Sequence, residues 1–164
     1  MKKYLAVALP LFATALFAQK MTDQQFVERA GQINMVESHL GQMAQEKGGG
    51  QDVKDFGREL DTDHKANYDK LTKAAQGVEV PKAIDKAHNA EIAKFDKLSG
   101  AAFDRAFKQQ MIAGHEQAIA LFKRASTQLQ SDSLKSYVTD TLPALQQHLD
   151  HAKSLGKAGA AGAK

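Results

Sequence analysis

The chain has 164 residues, no cysteine, and 22 Lys plus Arg against 19 Asp plus Glu, a formal charge of +3. The missing thiol excludes disulfides, thiolate metal sites, a cysteine nucleophile and lipid anchoring at a cysteine. Without Lys2 and Lys3 the charge balance is 20 against 19. Opposite charges are interspersed along the chain, not gathered into the basic patch that a nucleic-acid partner needs, so no nucleic acid is expected.

Residues 1–18 read as a signal peptide. Lys2 and Lys3 give a basic start, Tyr4 to Phe17 is apolar apart from Pro10 and Thr14, and cleavage fits near Ala18 or at Ala13-Thr14-Ala15. The apolar run falls short of the roughly 20 residues a membrane helix needs. Cleavage is therefore expected over retention as an uncleaved anchor, giving a periplasmic or secreted protein with no integral span. The remaining chain of about 146 residues is one ordinary domain, large enough for its own core.

Five helical segments follow. The first spans about Thr22 to Glu46. Thr22-x-x-Gln25 is a capping-box pattern. Phe26, Ala30, Ile33, Glu37, Leu40 and Ala44 then recur at steps of three and four. Gly48-Gly49-Gly50 stops it. The second spans about Asp52 to Gln76, with Val53, Phe56, Leu60, His64, Asn67 and Leu71 on its stripe, and Gly77 closes it. Pro81 suits the first turn of a shorter segment, Lys82 to Leu98. The next long helix spans about Ala101 to Leu129, with Phe103, Phe107, Met111, His115, Ala118, Phe122, Ala125 and Leu129 on one face. Ser131 or Asp132 caps the last, which runs to about Leu155 along Leu134, Val138, Thr141, Leu145, His148, Ala152 and Leu155. Pro143 predicts a kink near Thr139.

Four long helices and a crossover predict an all-α four-helix bundle over residues 22–155, followed by a flexible tail, 156–164. At 1.5 Å per residue, a crossover of about 17 residues covers about 25 Å, the length of a bundle. That favours the ferritin-like up-down-down-up order.

Each long helix carries one ionisable residue on its apolar stripe: Glu37, His64, His115 and His148. Counted from the helix ends, Glu37 and His64 differ in height by about 4.5 Å, and His115 and His148 are nearly level. The four are expected in one central layer, where an unpaired charge costs several kcal/mol. Two readings stay open. The layer binds a transition metal (iron, zinc, manganese or copper), since imidazole and carboxylate suit these ions. Or it is a closed hydrogen-bonded network, with Glu37 accepting from His64 and a second imidazole. A small organic ligand or a haem is a further occupant. Asp61, Glu116 and His151 are secondary metal candidates. Asp61-x-x-His64 resembles the Glu-x-x-His element of di-iron bundles, but Leu145-x-x-His148 has no carboxylate, which argues against a di-iron oxidase. Met111 reads as core, and His39 and His88 as exposed. Asp63 reads as a surface aspartate, or as a group orienting a histidine of another helix. No phosphate loop, nucleophile elbow or triad context supports hydrolase chemistry.

The order of short motifs adds a resemblance. They are Val36-Glu37-Ser38-His39-Leu40-Gly41-Gln42-Met43-Ala44, Val53-Lys54-Asp55-Phe56, Asp63-His64-Lys65-Ala66-Asn67, Leu98-Ser99-Gly100-Ala101-Ala102-Phe103-Asp104, Met111-Ile112-Ala113-Gly114-His115, and Leu142-Pro143-Ala144-Leu145-Gln146-Gln147-His148-Leu149. Phe26 to Leu155 resembles an uncharacterised exported bacterial helical domain family, often described as predicted outer membrane proteins and placed among ferritin-like folds. The resemblance implies that bundle and bacterial export, puts Glu37, His64, His115 and His148 at motif positions, and implies no activity. A helical chain without alternating strands is not an outer-membrane barrel. The expectation is an exported ferritin-like bundle of undefined function whose Glu/His layer is a candidate site for a transition metal. The alternatives are a structural or interaction module of the cell envelope, partnered by an envelope protein or a second copy, and a redox enzyme with access near Pro143.

Overall fold

The structure, a computed structural model, describes residues 20–156; the signal-peptide reading and most of the tail fall outside that range. Its helices are α1 (Asp23–Lys47), α2 (Gln51–Ala74), α3 (Lys86–Phe95), α4 (Gly100–Gln128) and α5 (Asp132–Ser154). The capping box at Thr22 forms in both directions, Thr22 accepting from the Gln25 amide and Gln25 from that of Thr22. Ser131 caps α5 through the Leu134 amide. Among the described residues no helix is long and apolar enough to cross a membrane.

The four long helices run up, down, down, up. At one end, the Gly49 and Gly50 amides donate to Asp104 at 2.8 and 2.9 Å, and Gly156 donates to Asp52. At the other, Asp23 accepts from the Gln130 and Ser131 amides, and Ser133 donates to the Ala74 carbonyl. The end of α2 and the start of α4 therefore lie at opposite ends, and the crossover spans the bundle.

The crossover is less helical than predicted. Its helix has ten residues, from Lys86, capped by Asp85. Pro81 does not open it. Two glutamines of α1 hold the preceding stretch extended. Gln24 exchanges hydrogen bonds with the backbone of Glu79 (3.0 and 3.3 Å), and Gln32 donates to the Ala83 carbonyl and accepts from the Asp85 amide (both 3.0 Å). Each side-chain amide pairs with the crossover as a neighbouring strand would, so those backbone groups are satisfied without a helix. Pro81 lies against Gly31, where an added Cβ would meet its Cγ at 2.6 Å.

Within each hairpin, α1 packs on α2 and α4 on α5; the hairpins meet along α2/α5 and α1/α4. The α1/α2 contact brings backbones together: a Cβ on Gly41 would meet the Gly57 carbonyl at 2.5 Å, and one on Gly57 the Gly41 carbonyl at 2.6 Å. Two apolar cores result. Phe26, Phe122, Leu134 and Val138 centre the lower one; Phe56, Phe103, Phe107 and Leu60 centre the upper. α5 continues through Pro143, which faces outward and leaves the buried stripe intact.

Candidate metal centre

Between the two apolar cores lies the polar layer. His64, His115 and His148 come from α2, α4 and α5 and are 1–3 % exposed. Their ring centroids are 5.3–5.9 Å apart. One ligand atom from each lies within 4.8 Å of the other two.

Each imidazole is fixed from behind. His64 Nδ1 donates to Asn34 Oδ1 at 3.0 Å, His115 Nδ1 to the Met111 carbonyl at 2.8 Å, and His148 Nε2 to Asp63 Oδ2 at 3.0 Å. Carbonyls and carboxylates only accept, so these bonds set the tautomer. The lone pairs are left on His64 Nε2, His115 Nε2 and His148 Nδ1. All three atoms are buried and have no hydrogen-bond partner. Burial disfavours the imidazolium of His64 and of His115, each of which would meet another cation. His115 is pushed down to about 4, by desolvation first, then His148 and against the Met111 carbonyl; His64 is held well below its usual range by desolvation, then His148 and His115.

A polar network stands behind His64. Asn34 Oδ1 also accepts from Asn67 Nδ2 (3.1 Å), and both Asn side chains donate to the Tyr137 hydroxyl, at 3.2 and 2.9 Å. Thr141 donates to Asn67 Oδ1. Burial pushes the Tyr137 phenol up to about 12. Sequence reasoning placed Asn67 and Thr141 on their stripes and missed Asn34 and Tyr137. Asn34 lies three residues before Glu37, one helical turn along the same face, which was the available signal.

Glu37 is buried, and its Oε2 has no partner. It lies against Gly114, where a Cβ would come 2.9 Å from Oε1. Desolvation pushes its carboxyl up to about 8. It stands outside the set of ligand atoms within 4.8 Å of each other, and the proton of His64 goes to Asn34 instead of to Glu37. The secondary candidates also lie elsewhere. Asp61 accepts from Ser38, Gln42 and Lys65 along the α1/α2 seam. Glu116 pairs with Lys153 on the exterior. His151 is half-buried, donates to Glu59 Oε2 at 2.8 Å and tilts against Phe56. Asp63 combines both roles considered for it: half-exposed, it orients a histidine of another helix.

Two grooves reach the layer from opposite sides. One of about 560 Å³ between α2 and α5 is lined by Asp63, His64, Asn67, Thr141 and His148. The other, about 630 Å³, lies between α1 and α4 beside the crossover and is lined by Glu37, Gly114, Gln32 and His88.

The same bundle occurs in three solved structures. CopM in its Cu(II)-bound form superposes with a TM-score of 0.68 at 19% identity, covering 83% of this chain and 96% of that one. The Cu(I)-bound form gives 0.67 at 19%, covering 82% and 95%. The Ag-bound form gives 0.67 at 20%, with the same coverage. At this identity the likeness establishes the fold. Among curated proteins none matches. A family model, described as a domain of unknown function (DUF4142), matches residues 11–155. That match spans both hairpins, the crossover and every residue of the polar layer, and the chain belongs to the DUF4142 family.

Proposed function

We propose that this protein is an exported metal-binding bundle that carries one transition ion, of the copper class, on His64, His115 and His148. The observation that carries the reading is three buried histidines with ligand atoms within 4.8 Å of one another, each keeping one buried, unpartnered ring nitrogen while its opposite nitrogen is already committed. A metal-ligating histidine needs that arrangement: the second N–H held by a carbonyl or carboxylate, the lone pair free. A closed hydrogen-bonded layer would use up those lone pairs instead.

Three neutral imidazoles suit copper and zinc better than the hard ions that prefer oxygen. The copper- and silver-bound states of the CopM structures support the choice of metal class. Glu37 is the fourth buried group without a partner at this level, and it would supply a counter-charge by losing its proton when the ion arrives. The leader-like pattern of residues 1–18 supports a periplasmic or secreted location, where such an ion would be cargo.

The test is elemental analysis of protein purified without chelator or His tag and dialysed into metal-free buffer. The wild type should retain about one equivalent of copper after reconstitution. His64→Ala/His115→Ala should retain none while staying helical by circular dichroism. No retained ion in the wild type would reduce the layer to a structural element.

A further inference from the structure

His148 has two faces. Its Nδ1 belongs to the buried layer, whereas Nε2 points outward to Asp63 Oδ2 at 3.0 Å and Glu59 Oε1 at 3.9 Å. Glu59 Oε2 in turn accepts from His151 Nδ1 at 2.8 Å. Ligand atoms of Glu59, Asp63 and His148 lie within 4.8 Å of one another. Two carboxylates four apart on α2 thus face two imidazoles three apart on α5. Like charges at that spacing oppose helix formation. The ion pairs of Glu59 and Asp63 among the described residues are with these imidazoles alone. The quartet closes the upper end of the α2/α5 groove, whose lining includes Asp63, His64 and His148, while Glu59 and His151 stand one turn beyond. Asp63 and His148 of the quartet line this groove together with His64, so the outer and the buried groups share one path from solvent.

We infer that Glu59, Asp63 and His151, with the outward nitrogen of His148, form a second, solvent-facing site for a divalent transition ion, from which the ion passes to the buried triad. The donor set is mixed carboxylate and imidazole, matched to a hydrated divalent ion that sheds water stepwise. The two negative charges raise the local cation concentration, and half-exposed ligands let the ion leave. His148 would take the outer ion on Nε2 with its single ring proton moved to Nδ1, and the inner ion on Nδ1 with that proton returned to Nε2, where it donates to Asp63. Transfer therefore needs a change of tautomer, not a change of residue. The triad as a metal site rests on the reading above; the outer quartet does not.

The probe is Zn²⁺, which is redox-inert, offered to EDTA-stripped full-length protein. Stoichiometry is read by equilibrium dialysis and loading by stopped flow at low salt. The wild type should bind two equivalents, one held weakly. Glu59→Gln/His151→Ala should lose the weak equivalent and load the inner site about tenfold more slowly. His64→Ala/His115→Ala should keep the weak equivalent; if that pair unfolds, His115→Ala alone serves, since it leaves the Asn34–His64 and Asp63–His148 bonds in place. Wild-type stoichiometry and loading rate in Glu59→Gln/His151→Ala would overturn the inference. So would complete loss of binding in the folded inner variant. A single equivalent that vanishes with Glu59→Gln/His151→Ala and survives the inner variant would leave the outer site standing, and remove the triad from metal binding and with it the transfer step.

Discussion

Glu37 and His115 pull stability in opposite directions as pH changes. The His115 imidazole is held at about 4 in the fold against 6.5 when free. The unfolded chain therefore takes up that proton first as pH falls. The stabilisation is complete above 6.5 and is lost on going down to about 4. Glu37 is raised to about 8 from 4.5, so the native state keeps a proton that the unfolded chain has released. Its contribution is complete below 4.5 and is lost as pH rises to about 8. Each unit of such a difference is about 1.4 kcal/mol. His64, likewise held well below its usual range by desolvation, adds a second loss of stability as pH falls below 6.5, so with chelator present the wild type should be most stable near pH 6.5 and lose about 2 kcal/mol by pH 8. Glu37→Gln should flatten that upper limb and steepen the acid limb, which Glu37 no longer offsets. Urea unfolding at half-unit pH intervals reads both limbs, and an upper limb equally steep in both proteins would refute the assignment. The sequence reveals which residues share the layer, because a stripe periodicity is local. It does not reveal that Glu37 stands apart from the three rings. That depends on rotamers and on Gly114 opening a space on another helix, and periodicity carries neither.

Element boundaries were legible to within about two residues for the four long helices, because their caps are written in the chain: Thr22-x-x-Gln25, the glycines at 48–50, and Ser131. The crossover was not legible. The pattern from Lys82 to Leu98 is weakly helical, and tertiary bonds from Gln24 and Gln32 override it over 79–85. The direction order of the helices followed from the length of that crossover alone. The closeness of α1 to α2 is not written in either helix alone, because Gly41 and Gly57 are only weak helix formers until they are set against each other. Gly57→Ala should cost about 2–3 kcal/mol despite the better helix propensity of alanine, because the added methyl would strike the Gly41 carbonyl and the Ala44 side chain. Chemical denaturation reads the loss. A neutral or stabilising result would mean that the helices part easily there.

At the scale of the molecule, the fold is two tight hairpins meeting along two wide seams, with grooves on both. The polar layer lies across those seams. His64 belongs to the first hairpin, His115 and His148 to the second. An ion on these three residues would hold the two halves together as well as being held by them. Hydrogen exchange should show the effect: amides of α2 and α5 around the layer should be slowed by about a hundredfold at a metal concentration 100 times Kd, corresponding to about 2.7 kcal/mol. Amides within the α1/α2 contact should change less. Uniform protection throughout would mean that the ion stabilises the bundle without joining its halves.

The extended crossover gives this arrangement a modular consequence. It is fastened to α1 by two glutamine side chains and a proline on a glycine, and the histidines of the layer are distributed on either side of it. A chain cut between Gly77 and Glu79, beyond α2, would leave two separate helical pieces with complementary inner faces. Neither piece alone carries three histidines of the layer. An ion bound across the layer would strengthen their reassembly, and the protein could then serve as a reporter in which metal supply is read out as the joining of two polypeptides.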